Sequence, residues 1–203
     1  MLKEPNIIAS LPPSRCAGTR YHPDSIWRQR RLNTDEPVSK HWRDWLLDKG
    51  SLTKRLIAAS DGQLTVQVLS QGIEIPRPSE MLALSLPPRQ RALIREVLLL
   101  GNEQPWVYAR SVIPLTTLTG RLRSLRHLDS RPLGALLFND PSMTRQPIEV
   151  AAISPGTLCL PDVLNLSEVK LWGRRSVFCL DQKPLLVAEI FLPAFKPYNQ
   201  SLI

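Results

Sequence analysis

The sequence is poor in the residues that build disulfide frames, metal centres and phosphate loops. Its cysteines, Cys16, Cys159 and Cys179, form no CxxC pair and leave an odd count, which excludes a disulfide scaffold of the small secreted type and fits reduced thiols. The histidines His22, His41 and His127 stand apart from each other and from any Cys or acidic pair at ligand spacing, so no metal is expected. Gly-rich phosphate loops and triad patterns are missing too. No apolar run approaches the length of a membrane span, and the opening MLKEPNIIASLPPSR lacks the apolar core of a secretory signal. No membrane insertion and a cytoplasmic location are expected.

What is present is a chain of 203 residues, 43% hydrophobic, with a net charge of +8. That length accommodates one domain with a substantial core. The basic residues gather locally in RQRR at 28–31 and in Arg121, Arg123 and Arg126. Neither group is interleaved with aromatics as a stacking platform for nucleic acid would be, so solvated basic faces are the expectation and no nucleic-acid partner is inferred. A monomer is expected. Residues 1–36 are proline-rich with few periodic apolar positions and read as an extended or poorly ordered arm, leaving 37–203 as the folded domain.

Ser39 is a candidate N-cap for SKHWRDWLLDKG, with Trp42, Trp45 and Leu46 at helical spacing and Gly50 placed to end the helix. Ser51 caps a second helix, LTKRLIAAS, so 39–60 reads as helix, short break, helix. Residues 63–70 alternate as a strand, and a Pro-rich link follows from Ile75 to Pro88. After Pro114, Leu118, Leu122, Leu125 and Leu128 share a helical face, and Ser130 and Pro132 start a further short helix, PLGALLF. QPIEVAA at 146–152 reads as a strand, 153–169 as a loop. A long hairpin closes the chain, KLWGRRSVFCL and PLLVAEIFLP turning at Asp181-Gln182-Lys183. Six strands joined mostly by hairpins, with helices between, predict an α+β fold: a six-stranded antiparallel sheet with helices on one face and two helix-turn-helix flaps.

The candidate functional residues lie on this framework. REVLLLGNEQPWVYARSVIP, residues 95–114, predicts a hairpin around Gly101–Pro105. If Leu100 pairs with Pro105, Arg95 stands opposite Arg110 on one inward face, and two facing cations require an anion between them. A register one residue out leaves one arginine to solvent and pairs the other with Glu96 or another carboxylate. Glu189 is the sole charge in LLVAEIFLP, on the face of Leu185, Val187 and Phe191. It is either an acid, base or hydroxyl-binding group or the partner of Arg95, Arg110 or Arg174. The helix entries at Leu52 and Leu133 present backbone N–H groups that no helical carbonyl can satisfy.

The segments DWLL, SLTKR, REVLL, EQPW, ARSVIP, RPLGALLF, LWGRRS and KPLLVAEIFLPA, spread over residues 42–193, resemble the chorismate pyruvate-lyases, enzymes that make 4-hydroxybenzoate at the head of ubiquinone synthesis. The resemblance implies a six-stranded sheet with two helical flaps over an enclosed site. It implies functional arginines at Arg95 and Arg110, a carboxylate at Glu189, and ligand-binding amides at Leu52 and Leu133. It further implies chorismate as substrate, no cofactor, and product inhibition. The sequence departs from the family's pattern in carrying Leu52 where relatives commonly have Met and Ala109 where they have Gly. The arm and the 153–169 loop are longer than the family leads one to expect. A rival reading is a non-catalytic effector-sensing module of similar fold, as in some bacterial transcription regulators.

Overall fold

The computed structural model describes residues 27–29, 38–153 and 170–197. The expected arm, apart from 27–29, and nearly all of the 153–169 loop lie outside the described residues. The sheet is built from β1 (Arg28–Gln29), β2 (Leu64–Glu74), β3 (Ala92–Gly101), β4 (Gln104–Pro114), β5 (Thr144–Arg145), β6 (Glu149–Ile153), β7 (Leu171–Leu180) and β8 (Lys183–Phe191). The strands lie in the order β1-β6-β7-β8-β4-β3-β2, every pair antiparallel, with the short β5 paired to β7. The six long strands are those expected from sequence; the two-residue β1 and β5 are additions.

Turn chemistry fixes the two central hairpins. Asn102 and Glu103 have φ of 51° and 64°, and Asp181 and Gln182 have φ of 48° and 62°. Two successive left-handed residues match the twist of the flanking strands. Helix α1 (Lys40–Leu46) starts where Ser39 Oγ accepts the Trp42 N–H at 3.4 Å, and α2 (Leu52–Ala59) where Ser51 Oγ accepts the Lys54 N–H at 3.3 Å. The first helix ends at Leu46, ahead of Gly50. A 3₁₀ helix spans Gly120–His127, and α4 covers Leu133–Asn139.

These helices all pack on one face, in two separate apolar clusters. Trp45, Leu46, Leu52 and Leu56 cover Val97, Leu99, Val107 and Phe191. Leu118, Leu122, Leu125, Leu133 and Leu137 cover Leu93, Ile113, Phe178 and Leu185. Between them the same face carries a polar band: Arg95 between Leu93 and Val97, Ser111 between Ala109 and Ile113, and Glu189 between Val187 and Phe191. Period-two alternation makes this band continuous across strands.

The link expected over 75–88 holds one further helix, α3 (Pro78–Ala83), on the opposite face. Pro78 supplies a pre-set first position, and the Glu80 carboxylate accepts the Arg77 N–H at 2.8 Å. Ala83, Leu84 and Leu86 pack against Ile94, Val112, Val177 and Leu186.

The hairpin register corrects the expected pairing of Arg95 with Arg110. At the tip, Leu100 pairs with Pro105 as expected. Trp106 is then an extra residue, so Leu99 pairs with Val107, Arg95 with Ser111, and Glu96 with Arg110. The bulge lets Trp106 lay its ring over Gly101, where a Cβ would come within 2.2 Å of it. Trp106 also meets Phe195 at 5.7 Å between ring centroids. A one-residue slip exchanges the faces of everything beyond it, so Arg110 projects away from Arg95.

On that far face Arg110 is buried between two carboxylates. Its Nε reaches Glu80 Oε1 at 2.8 Å and its Nη1 reaches Glu96 Oε1 at 2.7 Å. Tyr108 Oη and Ser70 Oγ donate to Glu96 at 2.6 and 2.9 Å. Burial works against the charge on Glu96, but Tyr108, Arg110 and Ser70 together hold its carboxyl below the usual range. A carboxylate depressed in the folded state stabilises above the unfolded carboxylate pKa, and that stability is lost as pH falls through the folded value. Arg110→Met removes the guanidinium that both glutamates contact. It is expected to cost about 3–5 kcal/mol at neutral pH, read from denaturant midpoints, and to flatten the acid limb of stability against pH. A loss under 1 kcal/mol contradicts this placement.

Candidate active site

The polar band floors a cavity of about 540 Å³ of space between atoms, counting its open mouth. Its walls come from both helical layers and from the sheet, and include Leu52, Thr53, Arg95, Leu133, Gly134, Arg145, Phe178, Arg174 and Glu189. Four of the five residues singled out from sequence, Leu52, Arg95, Leu133 and Glu189, therefore border one space. Arg110 does not.

Arg95 is 1% exposed. Its Nη2 donates to the carbonyls of Asp129 and Arg131 at 2.7 and 3.2 Å, in the loop that leads into α4. Its Nε is buried without a partner among the described residues. Burial lowers the pKa of the guanidinium, partly offset by Asp129, yet an arginine remains charged at neutral pH. The Arg95 side chain thus offers the cavity a cationic donor already held in place.

Glu189 takes the pairing that the sequence left open. Arg174, also 1% exposed, donates from Nε to Glu189 Oε2 at 2.7 Å. Its Nη1 donates to the carbonyls of Trp45 and Asp48 at 2.9 and 3.0 Å, at the junction between α1 and α2. Its place in the site follows from LWGRRS alternation, and sequence reasoning assigned it only as a structural partner. Arg145 was missed altogether. It sits on the two-residue β5, too short for any periodicity, and nothing in TRQP marks it out.

The lining holds three guanidiniums, Arg95, Arg145 and Arg174, against one carboxylate, Glu189, an excess of two positive charges. Apolar walls from Val97, Leu99, Leu137, Phe138 and Phe178 surround them. Such a chamber favours a small, largely apolar molecule carrying two negative charges. Leu52 and Leu133 begin their helices, so their amides lie outside the helical ladder. The two flaps meet closely at Gly134, where a Cβ would lie 2.7 Å from Thr53 Oγ1. Among the described residues no group of three or more His, Cys, Asp or Glu is placed to hold a metal ion, and no helix is long and apolar enough to cross a membrane.

Comparison with known proteins bears on this geometry. Solved structures with a similar fold include the effector domain of PhnF from Mycobacterium smegmatis, with a TM-score of 0.52, 13% identity, and 72% of this chain covered against 91% of that one. Another is a GntR-family transcriptional regulator from Bacillus cereus, at 0.51, 15% identity, and coverage of 70% and 99%. At such identity the likeness concerns the fold alone. Sequence similarity is far closer to proteins named "Probable chorismate pyruvate-lyase". That of Pseudomonas aeruginosa strain UCBPP-PA14 is 43% identical over 84% of this chain and 93% of its own. That of Methylococcus capsulatus is 45% identical over 74% and 93%. The family model described as chorismate lyase matches residues 24–203, and the chain belongs to the chorismate lyase family.

Proposed function

We propose that the protein is a lyase that converts chorismate into 4-hydroxybenzoate and pyruvate, a step that feeds quinone biosynthesis. Family membership supports the reaction, and one observation carries its assignment to this cavity: the buried Nε of Arg95, which has no partner among the described residues. Buried ionised donors rarely lack an acceptor, and a substrate carboxylate supplies one.

Chorismate carries a ring carboxylate and an enolpyruvyl carboxylate, matching the excess charge of the lining. Lysis breaks the ether bond between the ring and the enolpyruvyl oxygen and removes the hydrogen from the ring carbon that bears the hydroxyl. That hydrogen ends on the enolpyruvyl methylene, which becomes the methyl of pyruvate, while the electrons left in the ring complete an aromatic system. Aromatisation drives the step, so what the protein contributes is restraint of the reacting groups and electrostatic support for the departing oxygen.

In this reading Arg95 and the first-turn amides of Leu52 and Leu133 hold the ring carboxylate. Glu189, oriented by Arg174, accepts the hydrogen bond of the ring hydroxyl. The flaps exclude water and retain the product. An effector-sensing module would bind the same acids without releasing pyruvate, so following pyruvate and 4-hydroxybenzoate together separates the two readings.

A charged hydrogen bond is worth roughly 1.5–3 kcal/mol, so Arg95→Lys is expected to lower kcat/KM for chorismate by about 10- to 100-fold. Turnover within a few-fold of wild type removes Arg95 from the mechanism. By the same scale Glu189→Gln is expected to weaken 4-hydroxybenzoate binding by about tenfold, measurable by calorimetry; unchanged affinity excludes the role given to Glu189. Gly134→Val, which forces Thr53 aside, is expected to loosen the flap contact and relieve product inhibition in progress curves. Undiminished inhibition in a folded variant contradicts retention by the flaps.

A further inference from the structure

We propose that Arg145 binds the enolpyruvyl carboxylate of the substrate, the anionic group that departs as pyruvate. This rests on the lyase reading above and adds a residue to it.

Three cations line the cavity, and two are already committed. Arg174 is neutralised by Glu189 at 2.7 Å and spends a second nitrogen on the Trp45 and Asp48 carbonyls. Arg95 is the group assigned to the ring carboxylate. Arg145, like Arg95, donates to neutral oxygens, Ser176 Oγ at 3.0 Å from Nε and the Lys49 carbonyl at 3.1 Å from Nη1, and it is the cation to which no substrate group has yet been assigned. Among the described residues no carboxylate pairs with it.

Its position is nevertheless fixed. The guanidinium lies 4.9 Å from the centroid of the Phe178 ring, a cation-π contact that holds the charge at the cavity wall. Backbone pairing of Arg145 with Phe178 sets the base of the side chain. Burial and the like charge of Arg174 press its pKa down to about 10, against the opposing pull of Glu189 and Asp48. Arg145 therefore stays charged at neutral pH, in surroundings that favour the arrival of an anion.

The bookkeeping of charge agrees. An excess of two positive charges in the lining suits a dianion, whereas 4-hydroxybenzoate carries one negative charge. With the product's carboxylate on Arg95, the second positive charge is left for the pyruvyl group, and Arg145 is the remaining lining cation that no carboxylate among the described residues pairs with. The Lys49 carbonyl that it holds lies in the connection between α1 and α2, so the same side chain touches the hinge of one flap.

The test compares ligands with and without the second carboxylate. In Arg145→Met, kcat/KM for chorismate is expected to fall by about 10- to 100-fold, the scale of a lost charged contact, while the calorimetric Kd for 4-hydroxybenzoate stays within about threefold. Arg145→Lys is expected to recover part of the loss, as a cation with one point of contact. Equal losses for chorismate and product, accompanied by a lower Tm, assign Arg145 a structural role and overturn the proposal. So does retained turnover. The wild-type protein run alongside separates the two levels: if it binds both ligands but releases no pyruvate, the lyase reading fails. A differential loss of chorismate affinity in Arg145→Met still upholds the carboxylate contact, and an equal loss overturns it.

Discussion

The structure turns on how two fully buried guanidiniums are satisfied. Arg95 and Arg174 rise from the sheet and donate to main-chain carbonyls in the segments that carry the two flaps, Asp129 and Arg131 on one side, Trp45 at the end of α1 and Asp48 beyond it on the other. Carbonyl acceptors meet the hydrogen-bonding demand of a buried cation without cancelling its charge. Charge is thus stored in the cavity by the same contacts that position its roof. Arg174 discharges part of it onto Glu189; Arg95 keeps a donor in reserve.

Much of this scaffold is legible from local chemistry. Ser39 and Ser51 cap helices because a hydroxyl can replace a missing carbonyl, and the four left-handed turn residues, Asn102, Glu103, Asp181 and Gln182, close hairpins where polar residues interrupt apolar runs. Glu189 and Arg95 betray themselves as charges inside otherwise apolar faces. What sequence could not supply is the bulge at Trp106, because its cause is tertiary: a ring that fits over Gly101 and against Phe195. That single inserted residue decides the face of Arg110. Helix α3 hides for another reason, since prolines at 76 and 78 read as link chemistry although Pro78 is well suited to a first helical turn. Arg145 gives no local signal at all, being placed by pairing to a strand more than twenty-five residues away.

The two faces of the sheet treat ions in opposite ways. On the face under α3, Arg77, Arg110 and Arg175 stand against Glu80, Glu96 and Glu149, and the observed contacts pair Arg110 with Glu80 and Glu96, and Arg175 with Glu149. Trp27 stacks on Arg175 with 4.9 Å from guanidinium to ring centroid. Such a balanced network has little charge left to offer a ligand, and its interest is in holding α3 to the strands. On the other face three arginines meet one glutamate. Burial and the like charge of Arg174 both work against the charge on Arg145, a tension of the kind that a nearby anion eases.

Likeness of fold to the regulator domains does not by itself distinguish sensing from chemistry, since one scaffold can carry either. The distinction lies in what a site demands of its ligand. A sensor needs to hold one acid long enough to bias a conformation, for which one anionic contact and a closing flap suffice. A lyase acting on chorismate has to fix both ends of a molecule that separates into two anions, and must hold the ether between them in a reactive geometry. Two cations at different points of the lining, Arg95 on the sheet and Arg145 on the short β5, are what the proposed reading enlists for that second demand. In the proposed reading Glu189, held by Arg174, sets the ring hydroxyl relative to both, which is the third point that a rigid placement requires.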